Sequence, residues 1–431
     1  MAQNIEICSF LMGSSKTNKI IQWMKNQPSE KFIYVIPNLS ELVDSDDNPS
    51  RILSIGFITP ELSTEHKTKS EALLSLLKQG ANIACTQSLY KMLSKVHLDI
   101  IKSSQYNIIL DEELSLIDVY EQASTSDLVS LLNDGKVKIN EEDGMVEWCA
   151  NDAITRPYQD NKHKHHLFYK HIVSEYIYVG RCVIEDGVYQ KVIMVSQITK
   201  ELVACAKRLV VITYLFKGSI LDAFLKIKGF NIIKFEDIGI VEPALEEVVS
   251  RINLLPYESK LNKLKLNSTW WKNASKEDVA SIGRYIRRIA DTYGGDRDLV
   301  MWTCPSGRVK TEAKAGTVNF VAPKGYLIDS KGNKIWLGCS VRATNKYAHK
   351  KLAIHCFNRY PHTVIDSYLK DHGAKIDEDV YAISELLQWL FRSNCRLPDG
   401  SVTLAIASKR MYDLYVDWTK GRFKDVFQSI G

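Results

Sequence analysis

A chain of 431 residues with 45% hydrophobic and 25% charged residues has the composition of an ordinary globular protein, long enough to bury two or three cores, which argues against a single small module. The net charge of +5 hides an asymmetry: residues 1–250 carry 26 Lys+Arg against 33 Asp+Glu, a net of −7, whereas residues 251–431 carry 30 against 18, a net of +12. A surplus of that size favours a polyanionic partner for the second half. No run of about 18 apolar residues occurs, and residues 1–10 lack the basic segment and apolar core of a signal peptide, so a soluble intracellular protein is expected. Nine cysteines are scattered without a Cys-x-x-Cys pair, which argues against a zinc knuckle and a disulfide framework and points to reduced, mostly buried thiols.

The first 115 residues alternate strands and helices, the pattern of a parallel sheet covered on both faces. Strands are predicted at 5–10, 31–36, 82–85 and 107–110, with helices at 16–26, 70–78 and through 88–101. These strands lack polar alternation because both of their faces are buried. From about 118 to 200 the pattern weakens into a turn-rich stretch, a segment containing His163, His165, His166 and His171, and a hairpin around Gly187. The histidines stand among Lys162, Lys164 and Lys170 with few acidic neighbours, so an exposed basic helix start is favoured over a metal site. The strand pattern resumes at 210–213, followed by a helix to Gly229.

Pro256 and the change in charge suggest a boundary near 253–259. Beyond it, Ser275 and Asp278 open a helix over 275–293 whose apolar face is Val279, Ile282, Ile286 and Ile289 and whose outer face carries Arg284, Arg287 and Arg288. Strands are predicted at 299–303, 316–321, 334–338 and 351–356, then a long helix at 383–394. The paired Trp270 and Trp271 are read as core before a base-stacking platform, because they bury so much apolar area.

Three groups of residues point to chemistry. Gly13, Ser14, Ser15, Lys16 and Thr17 follow the first strand and open the first helix, where backbone N–H groups can cradle phosphate oxygens. In that role Lys16 neutralises the β and γ phosphates and Thr17 holds Mg²⁺, although Phe10 and Ser15 stand where the usual spacing has glycines. The apolar strand ending in Asp111 and Glu112 delivers two carboxylates to the sheet edge where ligands bind in open α/β folds. Asp111 is then suited to Mg²⁺ and Glu112 to orienting the attacking water. Finally, Gln388, Arg392 and Arg396 fall at i, i+4 and i+8 of the last predicted helix, which places them on one face, and a forked guanidinium suits charge developing in phosphoryl transfer.

In this order the motifs resemble those of superfamily 2 helicases, most closely the compact DEAD/DEAH-type helicases encoded by bacteriophages. Residues 12–17 resemble motif I, 34–41 motif Ia, 85–90 the following strand-binding motif, 110–113 motif II, 212–216 motif III, 342–345 motif V, and Gln388 with Arg392 motif VI. In motif VI the family usually places its second arginine three residues after the first, where this chain has Cys395 and then Arg396. The resemblance covers most of the chain except about 118–200 and 307–332. It implies an α/β fold of two RecA-like P-loop NTPase lobes, 1–250 and 256–431, with parallel sheets flanked by helices and with insertions. It further implies ATP and Mg²⁺ between the lobes, and nucleic-acid contacts at Pro37, Asn38, Thr86, Gln87, Thr344 and Asn345. The expected partner is a single-stranded or partly duplex nucleic acid, DNA before RNA, together with other replication proteins in a host-cell cytoplasm. Two rival readings are a non-hydrolysing strand-binding protein with a degenerate phosphate loop and a phage DNA-packaging ATPase. No adenine-selecting motif is evident ahead of the phosphate loop.

Overall fold

The computed structural model describes residues 4–37, 42, 50–236, 238–309, 319–339, 341 and 346–423. Its strands are β1 (Asn4–Ser9), β2 (Phe32–Ile36), β3 (Ile83–Thr86), β4 (Asn107–Asp111), β5 (Ile117–Val119), β6 (Val137–Ile139), β7 (Val146–Trp148), β8 (Ile177–Glu185), β9 (Val188–Gln197), β10 (Arg208–Thr213), β11 (Asn231–Lys234), β12 (Ile252–Leu254), β13 (Val300–Thr303), β14 (Leu352–His355) and β15 (Val402–Ile406). They build an α/β protein with two parallel sheets flanked by helices. The first sheet has the order β11-β1-β10-β4-β2-β3 and the second β12-β15-β14-β13. Every pairing in both is parallel. The central strands β2 and β4 are buried along their whole length, which is why they read as unbroken apolar runs.

Residues 117–197 leave the first sheet as a separate unit. There β5-β9-β8 form an antiparallel sheet and β6 pairs with β7, and the unit has an apolar cluster of its own around Leu128, Phe168, Ile177 and Met194. The β8–β9 turn falls at Asp186 and Gly187, both with positive φ. His163, His165 and His166 sit at the start of the helix His166–Val173 and His171 in its last turn; Tyr158 lies 4.4 Å from His163 between ring centroids, and the Tyr120 hydroxyl is 2.8 Å from His171 Nδ1.

The second sheet begins earlier than Pro256 suggests. β12 is its edge strand, and the helix Leu245–Ser250 shares an apolar cluster with the helix Lys409–Thr419, so the chain passes between lobes ahead of Leu245. The helix Lys276–Tyr293 carries the expected capping box, and its three outward arginines pair with Glu277, Asp291 and Glu258. Trp271 is core, 2% exposed, with Trp270 packed edge-on beside it. The strands expected at 316–321 and 334–338 are not found. Residues 316–318 lie outside the described set and 319–321 carry no strand. Lys334 makes one isolated bridge to Ile328 and Trp336 one to Trp302 of β13, and the segment leaves β13 where the Leu337 carbonyl accepts the Trp389 indole N–H. β15 and the helix after it, beyond the last predicted element, supply a central strand and a cover for the second sheet. All nine cysteines are free thiols, six of them buried. Among the described residues no helix is long and apolar enough to cross a membrane.

Candidate functional site

The first sheet lines up three strand ends. Cys8 pairs with Ile212 and Ile212 with Asp111, so the loop after β1, the end of β10 and the acids after β4 emerge at one level of one edge. The chain leaves β1 for β2 across two strand positions, and β10 later fills the place beside it; such an edge is where α/β sheets open a crevice. A cleft of about 290 Å³ lies there, lined by residues 12–18, Arg51, Asp111, Glu112, Glu113, Ile212, Thr213 and Tyr214 from the first half and Gln388, Phe391, Arg392 and Arg396 from the second.

The loop turns through Gly13 (φ 87°) into the helix Lys16–Lys25, with Ser15 at the cap in the left-handed region (φ 56°). That conformation explains why glycine is the usual residue here: it costs little without a Cβ and about 1–2 kcal/mol with one. Ser15 makes no side-chain cap, so the first-turn N–H groups remain to be satisfied from the cleft side. The Lys16 ammonium donates to the Phe10 carbonyl and stands 5.9 Å from the Tyr214 ring centroid. Burial pushes its pKa down to about 8 against the opposing pull of Cys8, Glu242, Asp111 and Glu112.

Asp111 is buried, with one carboxylate oxygen accepting from Tyr34 Oη at 2.6 Å and the other from Thr17 Oγ1 at 3.3 Å. Desolvation raises its pKa, and the Tyr34 hydrogen bond works against that rise. Glu112 follows with φ 78°, a second non-glycine residue held in the left-handed region at the cleft. Its carboxylate meets Arg392 Nη2 at 2.5 Å, an ion pair that bridges the two halves of the chain. Thr213 donates to Glu113 at 2.9 Å, and the Glu113 carbonyl accepts from Gln87 Nε2 at 3.5 Å.

The structure brings Gly13, Ser14, Ser15, Lys16, Thr17, Asp111, Glu112, Gln388, Arg392 and Arg396 to one cleft, but by a different route for the arginines. The helix Glu378–Leu390 starts five residues earlier than predicted and ends before Arg392, so Gln388, Arg392 and Arg396 do not share a helical face. Ser393 closes the turn by donating to the Leu390 carbonyl, and Asn394 N–H turns away to the Lys350 carbonyl. Arg396 then ends a 3₁₀ turn, Asn394–Arg396, which returns it to the cleft and absorbs the extra residue in the arginine spacing. Pro37, Thr86 and Gln87 lie on the same sheet edge, at the ends of β2 and β3, with the Thr86 hydroxyl capping the helix Gln87–Lys91. Asn38, Thr344 and Asn345 lie outside the described residues. Sequence reasoning gave no role to Tyr34, Arg51, Glu113 or Glu242. Tyr34 alone carried a signal, a polar tip inside a wholly buried strand, since such a hydroxyl needs a partner.

Residues 246–419 match the family described as the YonV C-terminal Rossmann-like domain. Along 97% of its length the chain is 24% identical to the whole of the SPbeta prophage-derived uncharacterized protein YonV of Bacillus subtilis (strain 168). Among solved structures it is similar to S. tokodaii Xpd4, with 13% identity, a TM-score of 0.47, and coverage of 97% of this chain and 94% of that one.

Proposed function

We propose that this protein is an ATP-dependent nucleic-acid motor of the superfamily 2 type, acting on DNA before RNA in a prophage setting. The observation that carries the reading is the Glu112–Arg392 pair, which joins a carboxylate beside the phosphate-type loop to a guanidinium from the other half of the chain. In this reading Gly13 to Thr17 cradle the phosphates and Lys16 neutralises them. Thr17 and Asp111, already 3.3 Å apart, offer the hydroxyl and carboxylate oxygens that suit Mg²⁺, which would supply charge neutralisation at the phosphates. Glu112 orients and deprotonates water, while Arg392 and Arg396, with Gln388, stabilise the charge that develops on transfer. Nucleotide phosphates compete with Glu112 for Arg392, so binding changes the seam between the halves. Gln87 touches both the β3 edge and the segment after Glu112, a short connection between strand and acid.

The test is steady-state ATP hydrolysis with and without single-stranded DNA or RNA, for the wild type, Lys16→Ala and Glu112→Gln. Turnover stimulated by a strand, and reduced at least about a hundredfold in both variants, is expected. Strand binding with no turnover in any of the three overturns the motor. It would leave a strand-binding protein that does not hydrolyse, the reading that the strained Ser15 favours.

A further inference from the structure

A second cavity of about 410 Å³ adjoins the cleft. It lies between the loop after β11, the start of the helix Leu245–Ser250 and the end of the helix Lys409–Thr419, so both halves of the chain wall it. Two features join it to the phosphate-type loop. Tyr214 lines both spaces, and Leu11, the residue before Met12 at the mouth of the cleft, lines this one. The Leu11 N–H is held by the Glu242 carboxylate, which also acts on Lys16 across the same loop.

We propose that this cavity receives the base and ribose of the nucleotide whose phosphates rest on Gly13 to Thr17; the proposal depends on the nucleotide-binding reading above. A nucleoside is a flat apolar body with polar edges. The cavity matches it with apolar walls from Leu11, Pro243, Leu245 and Phe423 and a polar rim of Glu242, Glu246 and Lys420. The rim carboxylates are acceptors for ribose hydroxyls and base N–H donors. Tyr214 is fixed for the purpose, because its hydroxyl accepts from the buried Trp418 indole at 2.9 Å, which ties the shared wall to the second half of the chain. Leu11 apart, the cavity's walls come from residues 214, 242–246, 418–421 and 423, far along the chain from the phosphate-type loop.

The experiment is calorimetric titration of the full chain with Mg²⁺–ATP and, as a base-free probe, Mg²⁺–tripolyphosphate. It compares the wild type with two fillings of the cavity, Thr419→Trp and Ala244→Phe; the second sits at an exposed rim position, and urea unfolding of both variants checks that they fold. The wild type is expected to bind ATP at least about tenfold more tightly than tripolyphosphate, and both variants to lose about tenfold for ATP with tripolyphosphate unchanged. Equal binding of the two ligands by the wild type, or ATP binding unaltered in both variants, overturns the pocket alone. Failure of the wild type to bind either ligand overturns the nucleotide reading and the pocket with it.

Discussion

At the scale of single residues, the cleft holds two non-glycine residues in a backbone conformation that a Cβ disfavours, Ser15 and Glu112, and one carboxylate, Asp111, whose charge its surroundings disfavour. Ser15→Gly removes a left-handed penalty of about 1–2 kcal/mol and adds about 0.5–1 kcal/mol of unfolded-chain entropy. Urea unfolding should therefore show a small gain, about 0.5–1 kcal/mol; a loss of that size would mean that the serine side chain contributes contacts of its own. Asp111 makes a pH-dependent prediction. Its folded pKa is raised, so the folded state binds its proton more tightly than the unfolded chain, and the carboxylate weighs against stability once pH rises through the folded value. Tyr34→Phe deletes the hydrogen bond that opposes the rise, which pushes the pKa further up and enlarges that cost. Where pH exceeds the folded pKa the bond is to a charged group, and there the variant should lose about 1.5–3 kcal/mol. Below the ordinary carboxylate range the loss should shrink to about 0.5–1.5 kcal/mol, that of a neutral bond. Equal losses at both pH values would show that Asp111 is protonated throughout.

At the scale of elements, the turn that carries Arg396 rests on one glycine. A Cβ at Gly400 would sit 1.8 Å from the Asn394 carbonyl oxygen, and backbone cannot yield as a side chain can. Gly400→Ala should cost about 1–3 kcal/mol of stability and, by shifting the Asn394–Arg396 turn, lower nucleotide turnover beyond what the lost stability explains. A variant as stable and active as the wild type would mean that the turn has slack. This element also marks where sequence reading stops. The i, i+4, i+8 spacing of Gln388, Arg392 and Arg396 predicts one helical face, whereas the three reach the cleft from a helix end and a 3₁₀ turn: past Leu390 the Asn394 N–H turns to the Lys350 carbonyl and its side chain to the Ala348 carbonyl, partners that sequence does not bring near. Five of the six strands of the first sheet are legible because burial on both faces leaves an apolar run between turn residues, whereas the edge strand β11, partly exposed along its length, carries no such run and is not predicted. The same signal marks β15, an apolar run after Gly400, and Ser408 caps a helix whose Met411, Leu414, Tyr415 and Trp418 face inward. The segment at 334–338 has the composition of a strand, yet its backbone bonds are divided between Trp302 of β13 and residues 327–328, and the Leu337 carbonyl goes to the Trp389 indole, a tertiary choice that no local pattern records.

For the whole molecule, the two halves do not simply face each other across a cleft; each contributes to the other's core. Leu11, Tyr214 and Leu215 pack with the helices Glu378–Leu390 and Lys409–Thr419. In return the helix Thr363–Asp371 leaves the second half and buries Ile365, Tyr368 and Leu369 in the main apolar cluster of the first. Polar contacts fix it there. The Tyr368 hydroxyl accepts from Gln197 at 3.2 Å, the Asp371 carboxylate from Arg181 N–H at 2.8 Å, and the Gly218 carbonyl from Asp377 N–H at 2.9 Å. The motor proposed above, to move its lobes, must pivot about this helix or release it, and the Glu112–Arg392 pair is the smaller seam. The charge surplus of the second half belongs to the same question, since Arg284, Arg287 and Arg288 already have acidic partners and its excess must act from other positions. Tyr368→Ala removes a side chain with no exposed surface and should cost about 3–5 kcal/mol, the range for deleting a buried aromatic ring. Because the loss falls on the contact between halves, calorimetry should show one unfolding transition for the wild type and two for the variant, with the first sheet's unit and the second's melting apart. One undivided transition at a lower temperature would show instead that the Leu11–Tyr214 seam is enough to couple them, and that the 363–371 helix is an ordinary part of the first core.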